Sequence, residues 1–268
     1  MKNLWLGKGL TALRKVQKIL RRLKTRLNLL PLSARWLYRN RSVVFSALWR
    51  RFRHHHSQAL GATSLGETYL SKNPVRYINL DRRPDRKAEF ENQAALLGIT
   101  VERFAAVDRV HGHLGCVESH IQLLEKSLRS GSSKIFIAED DLEFLVGKQE
   151  LDEIFTEFDS LPDVDVLCLA HNSFGLKVPV SQNISISHSI FTTAGYVGRP
   201  KSIRVLLEYF RKSKKLQEAG APPSVAAIDV IWQEAQVDSL VFGVTRKRVC
   251  RQRESYSDLA NRIKNYGV

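Results

Sequence analysis

Three short segments carry the residue types that could do chemistry. Glu139-Asp140-Asp141 follows directly on the apolar run Lys134–Ala138. Three carboxylates at the mouth of a buried strand repel one another unless something positive sits among them. A hard divalent cation held by one or two of them, with its other ligands from substrate phosphates and water, meets that need. A solvated acidic turn or helix N-terminus, where acids are also favourable, is the other reading. Asn79-Leu80-Asp81-Arg82-Arg83-Pro84-Asp85-Arg86 joins a strand to a helix start. Backbone N–H groups there, with Arg82, Arg83 and Arg86, suit an anion such as a diphosphate; a plain charged turn is the alternative. Gly115-Cys116-Val117-Glu118-Ser119-His120 sets Ser119 and His120 near a helix start, where they either donate to a ligand or cap and pack. Their adjacency keeps them from facing each other on a helix, which counts against a serine–histidine nucleophile pair.

These segments need elements to position them, and the sequence predicts an alternation. Val75–Leu80 reads as a strand, and Pro84 then opens a helix to Leu97 that Gly98 closes. Val101–Val107 is a second strand, and a helix from about Cys116 to Arg129 ends at Ser130-Gly131. Lys134–Ala138 and Val164–Ala170 have the continuous apolar character of buried strands, with a helix near 148–158 between them. Strands follow at Ile184–Ile190, Thr193–Val197 and Leu240–Thr245, with helices at Ser202–Lys212 and 225–236. Alternating units of this kind predict an α/β layered sheet, mostly parallel in its first half. Ligands of such sheets sit outside the carboxyl ends of the strands, where all three segments are expected to fall.

The 268 residues carry a net charge of +15, and its distribution decides its meaning. Residues 1–60 hold 15 Lys and Arg and no acid, so the remaining 27 basic side chains balance all 27 acidic ones. From Leu6 the apolar positions Leu10, Leu13, Val16, Leu20, Leu23, Leu27 and Leu30 recur at three- and four-residue steps, one stripe along a helix that Pro31 stops. Trp36, Tyr38, Phe45, Trp49 and Phe52 then interleave with Arg35, Arg39, Arg41, Arg50 and Arg51. Aromatic and basic residues so mixed predict attachment to an anionic membrane surface. A helix packed on a partner, a nucleic-acid arm and a cleaved transit peptide are the rival readings; no recognised nucleic-acid motif accompanies the charge. The arm lacks the uninterrupted apolar run of a secretory signal, and no stretch of 18–20 apolar residues predicts a membrane span. His54-His55-His56 reads as solvated linker. Cys116, Cys168 and Cys250 form no CxxC pair and suit a reducing compartment. No GxGxxG or GxxxxGK[ST] motif occurs, which weakens dehydrogenase and P-loop readings.

The segments, in this order, are similar to glycosyltransferase family 25, the lipopolysaccharide-type and collagen-type galactosyltransferase group. The resemblance rests on Ile78-Asn79-Leu80-Asp81-Arg82-Arg83-Pro84-Asp85-Arg86, on Arg103 with Ala106-Val107-Asp108, and on Gly115-Cys116-Val117-Glu118-Ser119-His120. It continues through Glu139-Asp140-Asp141, Thr193-Ala194-Gly195-Tyr196-Val197, Asp229, and Gln252 with Ser257-Asp258. It spans roughly residues 75–259. Arg109 stands where the family usually has Gly, and the stretch from Asp108 to Gly115 is shorter than usual, as if a loop over the substrate were trimmed.

The resemblance implies a GT-A type nucleotide-sugar fold in which Glu139, Asp140 and Asp141 hold Mn2+ or Mg2+ on the donor diphosphate. It implies that Asn79, Asp81, Arg82 and Arg86 hold nucleotide or phosphate, that Asp108, Ser119, His120 and Tyr196 serve the donor pocket, and that Asp229 is the catalytic base. The expected organisation is a membrane-surface arm over 1–60, a linker over 61–73 and a glycosyltransferase domain over 74–268. The expected activity is inverting, metal-dependent transfer of a hexose, galactose from UDP-galactose foremost, to a glycan or glycolipid acceptor. Lipopolysaccharide or lipooligosaccharide assembly at the cytoplasmic face of the inner membrane is the expected setting. The competing expectation is an inactive GT-A-like membrane-bound scaffold or adhesion module.

Overall fold

The structure, a computed structural model, describes residues 31–46, 70, 73–257 and 262–264. The chain divides into two compact units, Met1–Gln58 and Ala59–Val268. In the first unit the helix Leu32–Arg39 (α1) starts after Pro31; Asn40 Nδ2 closes it by donating to Trp36 O at 3.0 Å. The Arg41 guanidinium lies over the Tyr38 ring, 4.5 Å from its centroid. The stripe expected over Leu6–Leu30, the aromatics Trp49 and Phe52, the His54–His56 run and most of the 61–73 linker lie outside the described residues. Among the described residues, no helix is long and apolar enough to cross a membrane.

The second unit is built on an eight-stranded sheet of order β2-β1-β3-β8-β5-β9-β7-β6. Its strands are β1 (Val75–Asn79), β2 (Val101–Ala105), β3 (Ile135–Glu139), β5 (Val166–Ser173), β6 (Val178–Pro179), β7 (Ile184–Ser187), β8 (Ile190–Gly198) and β9 (Phe242–Thr245). β1 pairs in parallel with β2 and β3, and β5 with β9; β8 is wedged antiparallel between β3 and β5, and β7 runs antiparallel to β9 and β6. Six of the eight strands thus run in one direction, with β7 and β8 reversed, and β2, β1 and β3 form the parallel first half that the alternation predicts.

Helices cover both faces, which is why the central strands are apolar on successive residues. One face packs Ile78, Ile135, Ile137, Val166, Tyr196 and Phe242 against α3 (Gly112–Arg129), α5 (Pro200–Glu218) and α7 (Ile228–Asp238), with Trp232 of α7 edge-on to Tyr196 and Phe242. On the other face Tyr77 stacks on Phe90 of α2 (Pro84–Leu97), and Phe136 meets Phe155 of α4 (Lys148–Asp159). A left-handed Gly98 (φ 65°) terminates α2 at the expected residue. The short helix α6 (Pro223–Ala226) precedes α7.

The differences from expectation have local causes. α3 begins at Gly112, because Gly115 belongs to its first turn. The 225–236 helix is split, since Ala227 is extended (φ −59°, ψ 150°) between α6 and α7. The expected strand Ile184–Ile190 breaks at Ser187, beyond which Ser189 is left-handed (φ 55°). Phe242–Thr245 is not the last strand: Cys250–Gln252 (β10) pairs antiparallel with Leu142–Phe144 (β4), and Ser255–Ser257 (β11) pairs with Arg262–Lys264 (β12). These are three-residue strands with no periodic pattern to read.

Candidate active site

The parallel strands β1 and β3 both end at the same edge, and a cavity of about 190 Å³ opens there. Its floor is the acidic run. Asp140 is buried and fully engaged: Oδ1 accepts from Arg86 Nη1 at 2.9 Å and Oδ2 from Asn79 Nδ2 at 2.7 Å. Asp141 Oδ2 accepts from Arg86 Nη1 and from Gln252 Nε2, each at 3.2 Å. Asp141 Oδ1 is buried and has no hydrogen-bond partner. Glu139 Oε1 accepts from Thr193 Oγ1 at 2.8 Å and faces His120 Nε2 at 3.4 Å.

Arg86 is therefore the positive group that the acidic run requires, but one guanidinium faces three carboxylates. The electrostatics record the shortfall. Burial, then the charge of Glu139, pushes Asp141 up to about 7 despite Arg86. Burial also raises Asp140, against the pull of Arg86 and Asn79. Burial works against a charged Glu139 too, yet the bonds from His120 and Thr193 outweigh it and hold that carboxyl below its ordinary range.

A divalent cation fits this donor set in part. The orphaned Asp141 Oδ1 is an oxygen without a positive partner, and the nearby Glu139 carboxylate belongs to a ligand cluster of which Asp141 is not a member. Cys116 Sγ and a His120 ring nitrogen lie with a Glu139 oxygen in a cluster whose atoms are all within 4.8 Å of one another. Asp140 does not join them. Each of its oxygens already accepts one bond from the protein, which leaves it fewer lone pairs than Asp141 Oδ1 has to offer an ion.

The glycine of the 115–120 segment has a packing role. A Cβ on Gly115 would sit 2.4 Å from Val107 O. Ser119 stays inside this contact: Oγ donates to Gly115 O at 2.7 Å and accepts from Val107 N at 2.8 Å. Ser119 thus ties α3 to the loop after β2, and its surface forms part of the cavity wall. His120 is buried, with Nδ1 at 3.1 Å from Tyr196 Oη, so Tyr196 orients the imidazole from beneath. Arg109, which stands where the resemblance leads one to expect Gly, donates to buried Glu118 through Nε at 2.8 Å, and Lys214 pairs with the same carboxylate at 3.0 Å.

Arg82, Arg86, Asp108, Ser119, His120 and the three acids all border the cavity, so segments far apart in sequence converge there. Arg82 reaches across its mouth to pair with exposed Asp108. Asn79, Asp81 and Tyr196 do not border it. Asn79 is consumed by protein partners, donating to Asp140 and to Arg83 O while accepting from Arg103 Nε at 2.9 Å. Asp81 points outward and accepts from Arg103 Nη2 at 2.6 Å. Their contacts in the structure are with protein groups.

Asp229 stands in the first turn of α7. It does not border the cavity; burial, then the charge of Glu139, raises its carboxyl, and its charge in turn helps raise the Cys116 thiol, so it lies within electrostatic reach of the cavity. The backbone of Thr192 pulls that carboxyl part of the way back down. Thr192 is left-handed (φ 70°), a conformation that costs a β-branched residue about 1–3 kcal/mol. Its Oγ1 donates to Gln252 Oε1 at 3.2 Å. The strained residue thus links Asp229 to the chain that holds Asp141. Neither Thr192 nor the Thr193 bond to Glu139 carries a sequence signal, because backbone strain and hydroxyl direction leave no periodicity.

No family model matches the chain. Two curated proteins do, each named Glycosyltransferase 25 family member. The one from Anopheles gambiae is 28% identical over 103 residues, covering 28% of this chain and 17% of that protein. The one from Drosophila pseudoobscura pseudoobscura is 28% identical over 106 residues, covering 29% and 17%. The chain is similar to glycosyltransferase family 25. The alignments reach less than a fifth of the length of these relatives. Among solved structures, a glycosyltransferase involved in the glycosylation of the major capsid of PBCV-1 aligns at 11% identity and a TM-score of 0.34, over 65% of this chain and 93% of that one.

Proposed function

We propose that the chain is a glycosyltransferase of GT-A type that moves a hexose from a nucleoside diphosphate sugar to a glycan acceptor. The observation that carries this reading is the orphaned, buried Asp141 Oδ1 beside Arg86, in a cavity that Arg82 and Arg83 also line. Three arginines suit a diphosphate, and a carboxylate oxygen without a donor suits the cation that accompanies one. Asp141 and Glu139 would hold that Mn2+ or Mg2+, which when bound supplies positive charge against the leaving diphosphate.

The chain's own residues perform the rest. Arg86 keeps Asp140 and Asp141 apart from solvent and neutralises part of their charge. Asn79 fixes Asp140, and Arg103 fixes Asn79. In the transfer, the bond from the sugar's anomeric carbon to the diphosphate breaks and a bond to an acceptor hydroxyl oxygen forms. Asp229 takes the hydroxyl proton, and its raised basicity suits that task. Attack from the face opposite the diphosphate inverts the anomeric centre. Galactose and UDP are the donor parts that the family resemblance favours. The basic stretch over residues 1–60 supports a glycolipid acceptor at an anionic cytoplasmic membrane face, as in lipopolysaccharide assembly, with 61–73 as linker and 74–268 as catalytic domain.

Calorimetric titration of UDP with Mn2+, then with EDTA, tests the donor site. Metal-dependent binding that Asp141→Asn abolishes is the expected result. UDP binding indifferent to metal would favour Arg86 as a permanent substitute for the cation, and no nucleotide binding by folded protein would leave the scaffold reading.

A further inference from the structure

A second cavity, of about 330 Å³, opens at the same edge of the sheet, where the parallel strands β5 and β9 end. That volume falls within the usual range for small-molecule sites, about 300–1,000 Å³. β10 connects it to the first cavity: Cys250 lines the second and Gln252 the first. Residues two apart on a strand share a face and are separated by about 7 Å. The two cavities are thus neighbours along one rim.

Its lining is chemically one-sided. Lys177, Arg246 and Arg248 contribute cations, and among the described residues no acidic side chain lines it. Two buried polar atoms, His171 Nδ1 and Thr245 Oγ1, have no hydrogen-bond partner. The His171 ring is held by its other nitrogen, Nε2, 3.3 Å from Thr245 O. A carbonyl can only accept, so Nε2 carries the proton and Nδ1 is an acceptor in want of a donor. An anion alone cannot satisfy it; a hydroxyl can. Beside these groups Phe174 is 78% exposed, held edge-on against Phe191 at 5.8 Å between centroids. An exposed ring next to unpaired polar atoms offers a flat apolar face to a ligand that is otherwise polar.

We propose that this cavity is the acceptor subsite and takes an acidic sugar, its phosphate or carboxylate against Lys177, Arg246 and Arg248 and its hydroxyls on His171 Nδ1 and Thr245 Oγ1. The acceptor role rests on the glycosyltransferase reading; the recognition of an acidic sugar does not. An anionic group bound here leaves a neighbouring hydroxyl of the same glycan within one or two sugar units of the first cavity.

The test is titration of the full chain with glucose 6-phosphate, glucuronate, neutral glucose and inorganic phosphate. At least one acidic sugar should bind about tenfold or more tightly than glucose, and more tightly than inorganic phosphate; the tighter of the two acids identifies the anion. Lys177→Ala with Arg246→Ala, both exposed positions, should weaken that binding about tenfold or more while UDP affinity stays unchanged. Glucose binding as well as the acids, acid binding indifferent to the double substitution, or inorganic phosphate matching the sugar phosphate would each overturn the proposal. Acidic-sugar binding that persists where UDP binding fails would reject the transferase reading and leave this site standing.

Discussion

Asp229 carries the most at the level of single residues, because the base proposed for the transfer needs a carboxylate both basic and fixed. Its carboxyl is raised by burial and by Glu139, and the backbone of Thr192, itself left-handed, offsets part of that rise. Replacing the carboxylate by an amide keeps the shape and removes the base. Asp229→Asn should cut the transfer rate about 10²–10⁴-fold and leave UDP affinity within about twofold, as read by steady-state kinetics beside calorimetry. His171 makes a second prediction. Burial, then nearby Lys177, lowers its imidazole to about 4 from an ordinary 6.5. Between those values the unfolded chain binds the proton and the folded one does not, so stability present above pH 6.5 is lost as pH falls towards 4. The contribution is at most about 3 kcal/mol, and His171→Gln should flatten it in urea melts at pH 7 and pH 4.5. The acids at 139–141 were legible in the sequence as residues that need a cation. Their division of labour was not: that Arg86, 53 positions before Glu139, would be the first cation depends on the helix α2 returning alongside β3.

Elements, rather than residues, decide where these side chains meet. The α/β alternation could be read because each central strand is apolar on consecutive residues, the mark of a sheet covered on both faces. Strand direction could not, since apolar runs look the same in either sense, and the antiparallel β8 between β3 and β5 has no counterpart in the pattern. β10 escaped notice for a different reason: its three residues are too few for any period. The second cavity is hidden likewise, assembled from the ends of β5 and β9 and the loop before β10. Where an element does leave a trace, it is a glycine. Gly115 lets α3 approach the chain after β2 so closely that Val107 O would lie 2.4 Å from a side-chain carbon. Gly115→Ala must push the helix start away from backbone rather than from a flexible side chain. We expect a loss of about 1–3 kcal/mol in urea denaturation, with weaker UDP binding because His120 and Ser119 move with the helix.

The whole molecule separates its charge. All of the net +15 resides in residues 1–60, while the remainder balances 27 against 27. An attachment that depends on this charge should therefore respond to salt, and chemistry in the second unit should not. The full chain should bind vesicles containing anionic lipid and release them at high ionic strength. Arg35→Gln, Arg39→Gln and Arg41→Gln together should weaken binding by about 100-fold, at roughly 1 kcal/mol for each charge. Indifference to lipid charge in vesicle sedimentation would reject the membrane reading. A different kind of unity comes from β10. Its Gln252 bonds to Asp141 and Thr192, Arg253 N donates to Asp141 O at 2.7 Å, and its Cys250 forms part of the wall of the second cavity. One short strand is thus a shared wall, and a ligand on either side stiffens it for the other. The ligands proposed for the two cavities should bind with synergy: UDP should tighten the acidic sugar, and the sugar should tighten UDP by the same factor, because linkage allows no other ratio.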